Sequence, residues 1–154
     1  MEIRLNIGEI VKDVRTKSHN EVSNVQDPTA RYKIEAGTEK LGEIRRDLAA
    51  AVSTIVQECY RFLDAPGVDD ADNSLTDGDA LTFVVLGGAR RLYGKEKALA
   101  QKLHSIAVDL TLHKFYASVS QADLSKQHAS LAATAVAELE SMLRQKRPPK
   151  YLDR

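Results

Sequence analysis

A single cysteine, Cys59, is all that the chain offers toward thiol chemistry. One sulfur closes no internal disulfide and builds no CxxC pair, which suits a reducing compartment. Cys59 falls at an apolar helical position and reads as a small buried hydrophobe. Excess charge is missing as well: 22 basic residues face 22 acidic ones. A neutral chain feels no bulk attraction to nucleic acid or to an anionic membrane. No apolar run approaches the roughly 20 residues of a membrane span. Met-Glu-Ile-Arg opens the sequence with mixed charge, not with the apolar core of a signal peptide. The expectation is a soluble protein made and kept inside a cell, or inside a particle assembled there. Internal repeats and low-complexity stretches are absent too.

Catalytic motifs are equally scarce. FVVLGGARRLYG has the outline of a nucleotide fingerprint, but Gly87, Gly88 and Gly94 do not read GxGxxG and no GK[ST] follows. The strand–helix alternation that such a site needs is also lacking. Residues 69–79, DDADNSLTDGD, carry enough oxygens for calcium, yet the EF-hand register fails. From Asp70 the sixth position is Leu75, and from Asn73 the third is Leu75. Asp109 and His113 stand four apart on one helical face, a spacing that allows a hydrogen bond or two metal ligands. No third ligand accompanies them. His104 and His128 sit within helical patterns as packing or interface residues. With no GxSxG and no Cys–His pair, the expectation is no catalytic residue, no metal, no cofactor and no enzymatic activity.

What is present is helical patterning. A length of 154 residues fits one domain, 1–154, with a sizeable core. EIRLNI (2–7) alternates, with Ile3, Leu5 and Ile7 on one face, as a half-buried strand does. Asn6 then caps a helix over about 8–22, with Glu9 three residues on. Asp27-Pro28 opens a second helical stretch. There Leu41, Ile44, Leu48, Val52, Ile55, Cys59 and Phe62 recur at helical spacing up to Pro66-Gly67. Gly37-Thr38 is a candidate break, with Thr38 recapping. Residues 66–80 are a loop by every local signal. LTFVVL (81–86) is a short apolar strand, expected to be buried on both faces and able to pair with 2–7. Residues 95–117 form the most hydrophobic helix, apolar on two faces and hence central. The last helix spans about 122–145 with a stripe of Leu124, His128, Leu131, Ala135, Leu139 and Met142, and Pro148-Pro149 stops it. The fold class expected is mainly α: an antiparallel helical bundle with a small accessory sheet, strands near 2–7 and 81–86.

The charges are neutral in sum but uneven in place. Residues 64–79 carry −6 from six aspartates, and residues 80–154 carry +6. The acidic loop 66–80 (Asp69, Asp70, Asp72, Asp77, Asp79) is a candidate inter-subunit contact. The basic end, Arg144 together with Lys146, Arg147 and Lys150 of the tail 146–154, is a candidate contact for DNA phosphates or a partner. Without interleaved aromatics, such a tail supports at most non-specific DNA contact.

Residues 102–149, KLHSIAVDLTLHKFYASVSQADLSKQHASLAATAVAELESMLRQKRPP, resemble the last two helices of head–tail connector (neck) proteins of tailed bacteriophages. Ile106, Ala107, Asp109, Leu110, Leu112 and Tyr116 carry the first helix of that pattern. Leu131, Ala135, Leu139 and Met142 carry the second. EIRLNIGEIVKDVRTKSHNEV is similar to the openings of prophage structural proteins from Bacteroidetes. His113, where the pattern often has tyrosine, and the long acidic loop are departures. The resemblance implies a virion structural subunit assembled in the host cytoplasm. It would form a homo-oligomeric ring around the DNA channel and meet portal or tail subunits, with no catalytic residues and no membrane. The alternative is a cytoplasmic helical module that dimerises through 38–63, where Leu41, Ile44, Leu48, Ala51, Ile55 and Phe62 are spaced like heptad positions.

Overall fold

In the computed structural model, residues 2–65, 80–86 and 95–144 are described. The order is β1 (Glu2–Asn6), α1 (Ile7–Glu21), α2 (Pro28–Ile34), a 3-10 turn (Thr38–Lys40), α3 (Leu41–Glu58), β2 (Leu63–Asp64), β3 (Ala80–Val85), α4 (Glu96–Ser118) and α5 (Ala122–Arg144). The mainly helical bundle with a small sheet is the expected class.

Strand β1 runs directly into α1 because Asn6 belongs to both signals. Its backbone is extended, and its side chain accepts a hydrogen bond from Glu9 N–H at 3.1 Å. Asp27 caps α2 in the same way, accepting from Thr29 N–H at 3.0 Å ahead of Pro28. The far end of α2 is closed by a distant residue. Lys40 Nζ donates to the carbonyls of Tyr32, Lys33 and Glu35 at 2.8, 2.8 and 3.1 Å. Those are carbonyls that a helix end leaves without intrahelical partners. Burial lowers the Lys40 pKa, against the raising pull of Glu43, Glu35 and Glu39.

Helix α4 is the axle. Leu99, Leu103, Ile106, Leu112 and Phe115 are fully buried, and α1, α3, α5 and β1 all pack on it. Its two apolar faces are therefore both used, as the pattern predicts. Helix α5 returns along it, antiparallel, through a tight reversal. Gln121 N–H reaches Tyr116 O at 2.9 Å and Ser120 N–H reaches Ala117 O at 3.4 Å. This is the Schellman arrangement, and Ser120 takes the left-handed position with φ 63°. A side chain there costs about 1 kcal/mol relative to glycine. Ser120→Gly is therefore expected to raise the unfolding free energy by roughly 0.5–1 kcal/mol, read by urea denaturation.

The sheet has order β1–β3–β2, antiparallel throughout. Glu2↔Val84 through Asn6↔Ala80 set one register, and Leu63↔Val85 sets the other. Ile3, Leu5, Leu81, Phe83, Val85 and Leu63 point into the core.

Four expectations are corrected. First, the helical stretch expected to run up to Pro66-Gly67 ends at Glu58, and β2 follows. Leu63 pairs with Val85, and Leu86 N–H reaches Phe62 O at 2.8 Å. Pairing with β3 outweighs the helical phase that Cys59 and Phe62 continue. Second, β3 is not buried on both faces. Leu81, Phe83 and Val85 are buried, whereas Thr82 and Val84 are half-exposed, because no layer of described residues covers the outer face. Third, Thr38 does not recap. Gly37 precedes the 3-10 turn without a side-chain cap, and Thr38 Oγ1 accepts from Arg15 at 2.7 Å instead. Fourth, the buried stripe of α5 is Ser125, His128, Ala132, Val136, Leu139 and Leu143, while Leu131 is 49% exposed. An alanine-rich helix has a diffuse apolar face, and packing on α4 sets its phase.

Candidate functional site

The described chemistry concentrates where α1, α4 and α5 meet. Lys17 and Glu21 lie one turn apart on α1, Asp109 is mid-way along α4, and His128 lies on the buried stripe of α5. His128 Nδ1 is 3.0 Å from Asp109 Oδ1, and Nε2 is 2.9 and 2.7 Å from the two Glu21 oxygens. Ionised carboxylate oxygens only accept, so both contacts are hydrogen bonds when both ring nitrogens carry protons, and the arrangement favours the imidazolium. Burial by itself pulls the His128 pKa down, but the hydrogen bonds and charges of Asp109 and Glu21 outweigh it and raise the pKa above its ordinary value. Lys17 Nζ adds a fourth charge at 3.7 Å from Asp109.

The cluster is buried at its centre and opens to solvent at Lys17 and, in part, at Glu21. The side chains of His128 and Asp109 are 4% and 8% exposed. Tyr116 stacks on the His128 ring with centroids 5.8 Å apart, and its hydroxyl donates to Glu21 at 3.4 Å. Burial pushes the Tyr116 phenol up to about 12. What this arrangement does chemically follows from its saturation. An imidazolium with both N–H groups committed has no lone pair for a substrate proton. The two carboxylates sit at opposite ends of the ring, so they share no point where a cation could sit. Among the described residues, no group of three or more His, Cys, Asp or Glu could hold a metal ion. The cluster is a clamp across three helices.

Asp109 and His113 thus share a helix but no partner. Asp109 turns to His128 and Lys17. His113 Nδ1 donates to the Ser125 carbonyl at 3.0 Å, and Ser125 Oγ donates to the His113 carbonyl at 2.9 Å, a second tie between α4 and α5. Lys102 and Glu138 form a third. His104 pairs with Asp13 of α1 at 2.6 Å. One carboxyl stands apart from these. Burial, and then Glu43, raise Asp47 to about 6, against Lys114 and Arg46.

Asp69, Asp70, Asp72, Asp77 and Asp79 lie outside the described residues, as do Lys146, Arg147 and Lys150. Arg144 is described: it is exposed, ends α5, bonds to Glu140 at 3.4 Å and sits over the Phe62 ring. The clamp was half legible. His128 stood on the apolar stripe, but its partners are 19 and 107 residues away. Local spacing rules reach only three or four residues.

Comparison of the chain with protein-family models, curated proteins and solved structures finds no match in any of the three.

Proposed function

We propose that this chain is a non-enzymatic structural subunit of a phage virion, of the head–tail connector or tail-completion type, which assembles into a ring around the DNA channel. The observation that carries the reading is the α4–α5 hairpin. The two helices on which the resemblance rests form one antiparallel pair of 23 residues each, tied by the His128 clamp and by Ser125. The clamp supports a structural role, because its acid and base groups are spent on one another. The charge asymmetry of the sequence supports head-to-tail contact, acidic loop 66–80 to basic C-terminal half, and such heterologous contacts close into rings. Neighbouring portal or tail subunits would be the other partners, and Arg144, Lys146, Arg147 and Lys150 would meet passing DNA without reading its sequence.

The alternative, a helical module dimerising through 38–63, is less well supported. Of its six spaced positions, Ile44, Leu48, Ala51 and Ile55 are 0% exposed and pack within the chain, while Leu41 and Phe62 are partly buried.

Mass by light scattering across protein concentration, at low and at high salt, tests the reading. A closed particle of many subunits that dissociates with salt is the expected result. A protein that never exceeds two subunits at any concentration or salt sinks it.

A further inference from the structure

Strand β1 has β3 on one side only, since the sheet order is β1–β3–β2. Among the described residues, no backbone group pairs with its other edge. Such an edge is a template for another strand, and natural proteins blunt it with proline, a bulge, an inward-pointing charge, a very short strand or charges along the edge. Strand β1 has no proline, bulge or inward-pointing charge, and the two charges that it carries, Glu2 and Arg4, are of opposite sign. Its sequence is EIRLN, Ile3 and Leu5 point inward, and its register with β3 runs unbroken. Its two charges have opposite sign and stand two residues apart on the outer face. Glu2 and Arg4 are 56% and 73% exposed and lie 3.5 Å from each other.

That spacing is self-complementary. Residues directly opposite in an antiparallel pair share a face of the sheet. A second copy can therefore pair only in registers that move in steps of two, or its apolar residues turn to solvent. One such register sets Ile3 opposite the partner's Ile3, Glu2 opposite the partner's Arg4, and Arg4 opposite the partner's Glu2. The neighbouring register sets Arg4 against the partner's Arg4, and like charges directly opposite repel. Charge therefore selects the first, and two-fold symmetry supplies both ion pairs at once.

We propose that the outer edge of β1 is a homodimerisation edge, occupied by β1 of a second copy through reciprocal Glu2–Arg4 pairs about a two-fold axis. The two three-stranded sheets then continue as one sheet of six strands. The contact goes beyond the connector reading, since it needs only two copies. An assembly that keeps it holds an even number of subunits.

Charge reversal tests it without touching the core. Glu2→Arg and Arg4→Glu alter exposed side chains only, and circular dichroism checks that each variant keeps the fold. Native mass spectrometry and sedimentation then read association of the wild type, of each variant, and of an equimolar mixture with one variant isotope-labelled. The wild type is expected to dimerise. Each variant by itself should dissociate about tenfold more readily or worse. The mixture should form heterodimers as tight as the wild-type pair, because two arginines then face two glutamates. A wild type that stays monomeric at NMR concentrations overturns the proposal. So do variants that self-associate like the wild type, or a mixture with no preference for the heterodimer. Rings that survive both reversals remove the edge contact and leave the connector reading standing. Heterodimers with no larger species under any condition do the reverse.

Discussion

Replacing His128 by alanine is expected to lower the unfolding free energy by about 3 kcal/mol, because it removes the cation that Asp109 and Glu21 share and leaves a void at the helix junction. Glu21 and Asp109 approach His128 within 2.7 and 3.0 Å. In the variant, Asp109, 8% exposed, is left with Lys17 at 3.7 Å, and Glu21, 19% exposed, with the Tyr116 hydroxyl. The loss should appear in urea denaturation as a fall in midpoint with an unchanged slope. Replacing the charges together should behave differently. Glu21→Met, Asp109→Leu and His128→Phe in one chain removes both the Coulomb gain and the desolvation penalty. That variant is expected to be near neutral or more stable than the wild type. A cost below about 1 kcal/mol for His128→Ala would show that the clamp holds nothing.

The clamp also sets a pH dependence. The folded-state pKa of His128 is raised above 6.5. Its contribution is therefore complete below about 6.5, where the unfolded chain also binds the proton, and is lost as pH rises through the folded value. The wild type is expected to lose stability from about pH 6.5 upward, relative to His128→Ala. Asp47 acts in the same direction at lower pH. With its pKa raised from 3.8 to about 6, stability falls as pH rises through that span. Asp47 is common to both chains and cancels in their difference. A difference that grows with pH contradicts the assignment of an imidazolium.

Phe83→Ala should cost about 3–5 kcal/mol, the range for deleting a buried aromatic ring. Phe83 is 0% exposed on the middle strand, between the registers with β1 and β2. Its ring fills the space between sheet and helices, and neighbours held by hydrogen-bonded ladders on both sides relax little into the void. Leu131→Ala is the control. At 49% exposure, its truncation should shift stability by under about 0.5 kcal/mol. Equal losses at the two positions would mean that the face of α5 is reversed.

Particular residues show why some of this fold was readable and some was not. Asn6, Asp27-Pro28 and the alternation of Ile3 and Leu5 act within a few residues of themselves, so helix starts and the first strand follow from the chain alone. The amphipathic breadth of 96–118 likewise marks a central helix. Strand β2 could not be read that way. Leu63 and Asp64 become a strand only because Val85 and Val84 are brought beside them. The stripe of α5 has the same character. With alanines on several sides, only contact with α4 chooses Ala132 over Leu131.

For function, the division falls along the same line. The sequence by itself determined a mainly helical chain with one thiol, balanced charge and no catalytic motif, because these are matters of composition and local spacing. Only the tertiary structure decided that Asp109 belongs with His128 and Glu21 and not with His113. Only the sheet order decided that, among the described residues, β1 is paired along one edge and that Glu2 and Arg4 lie on its outer face. Pairing across more than about ten residues carries no local signature. It is set by which apolar faces meet, and the charges that those faces bring together acquire their roles afterward.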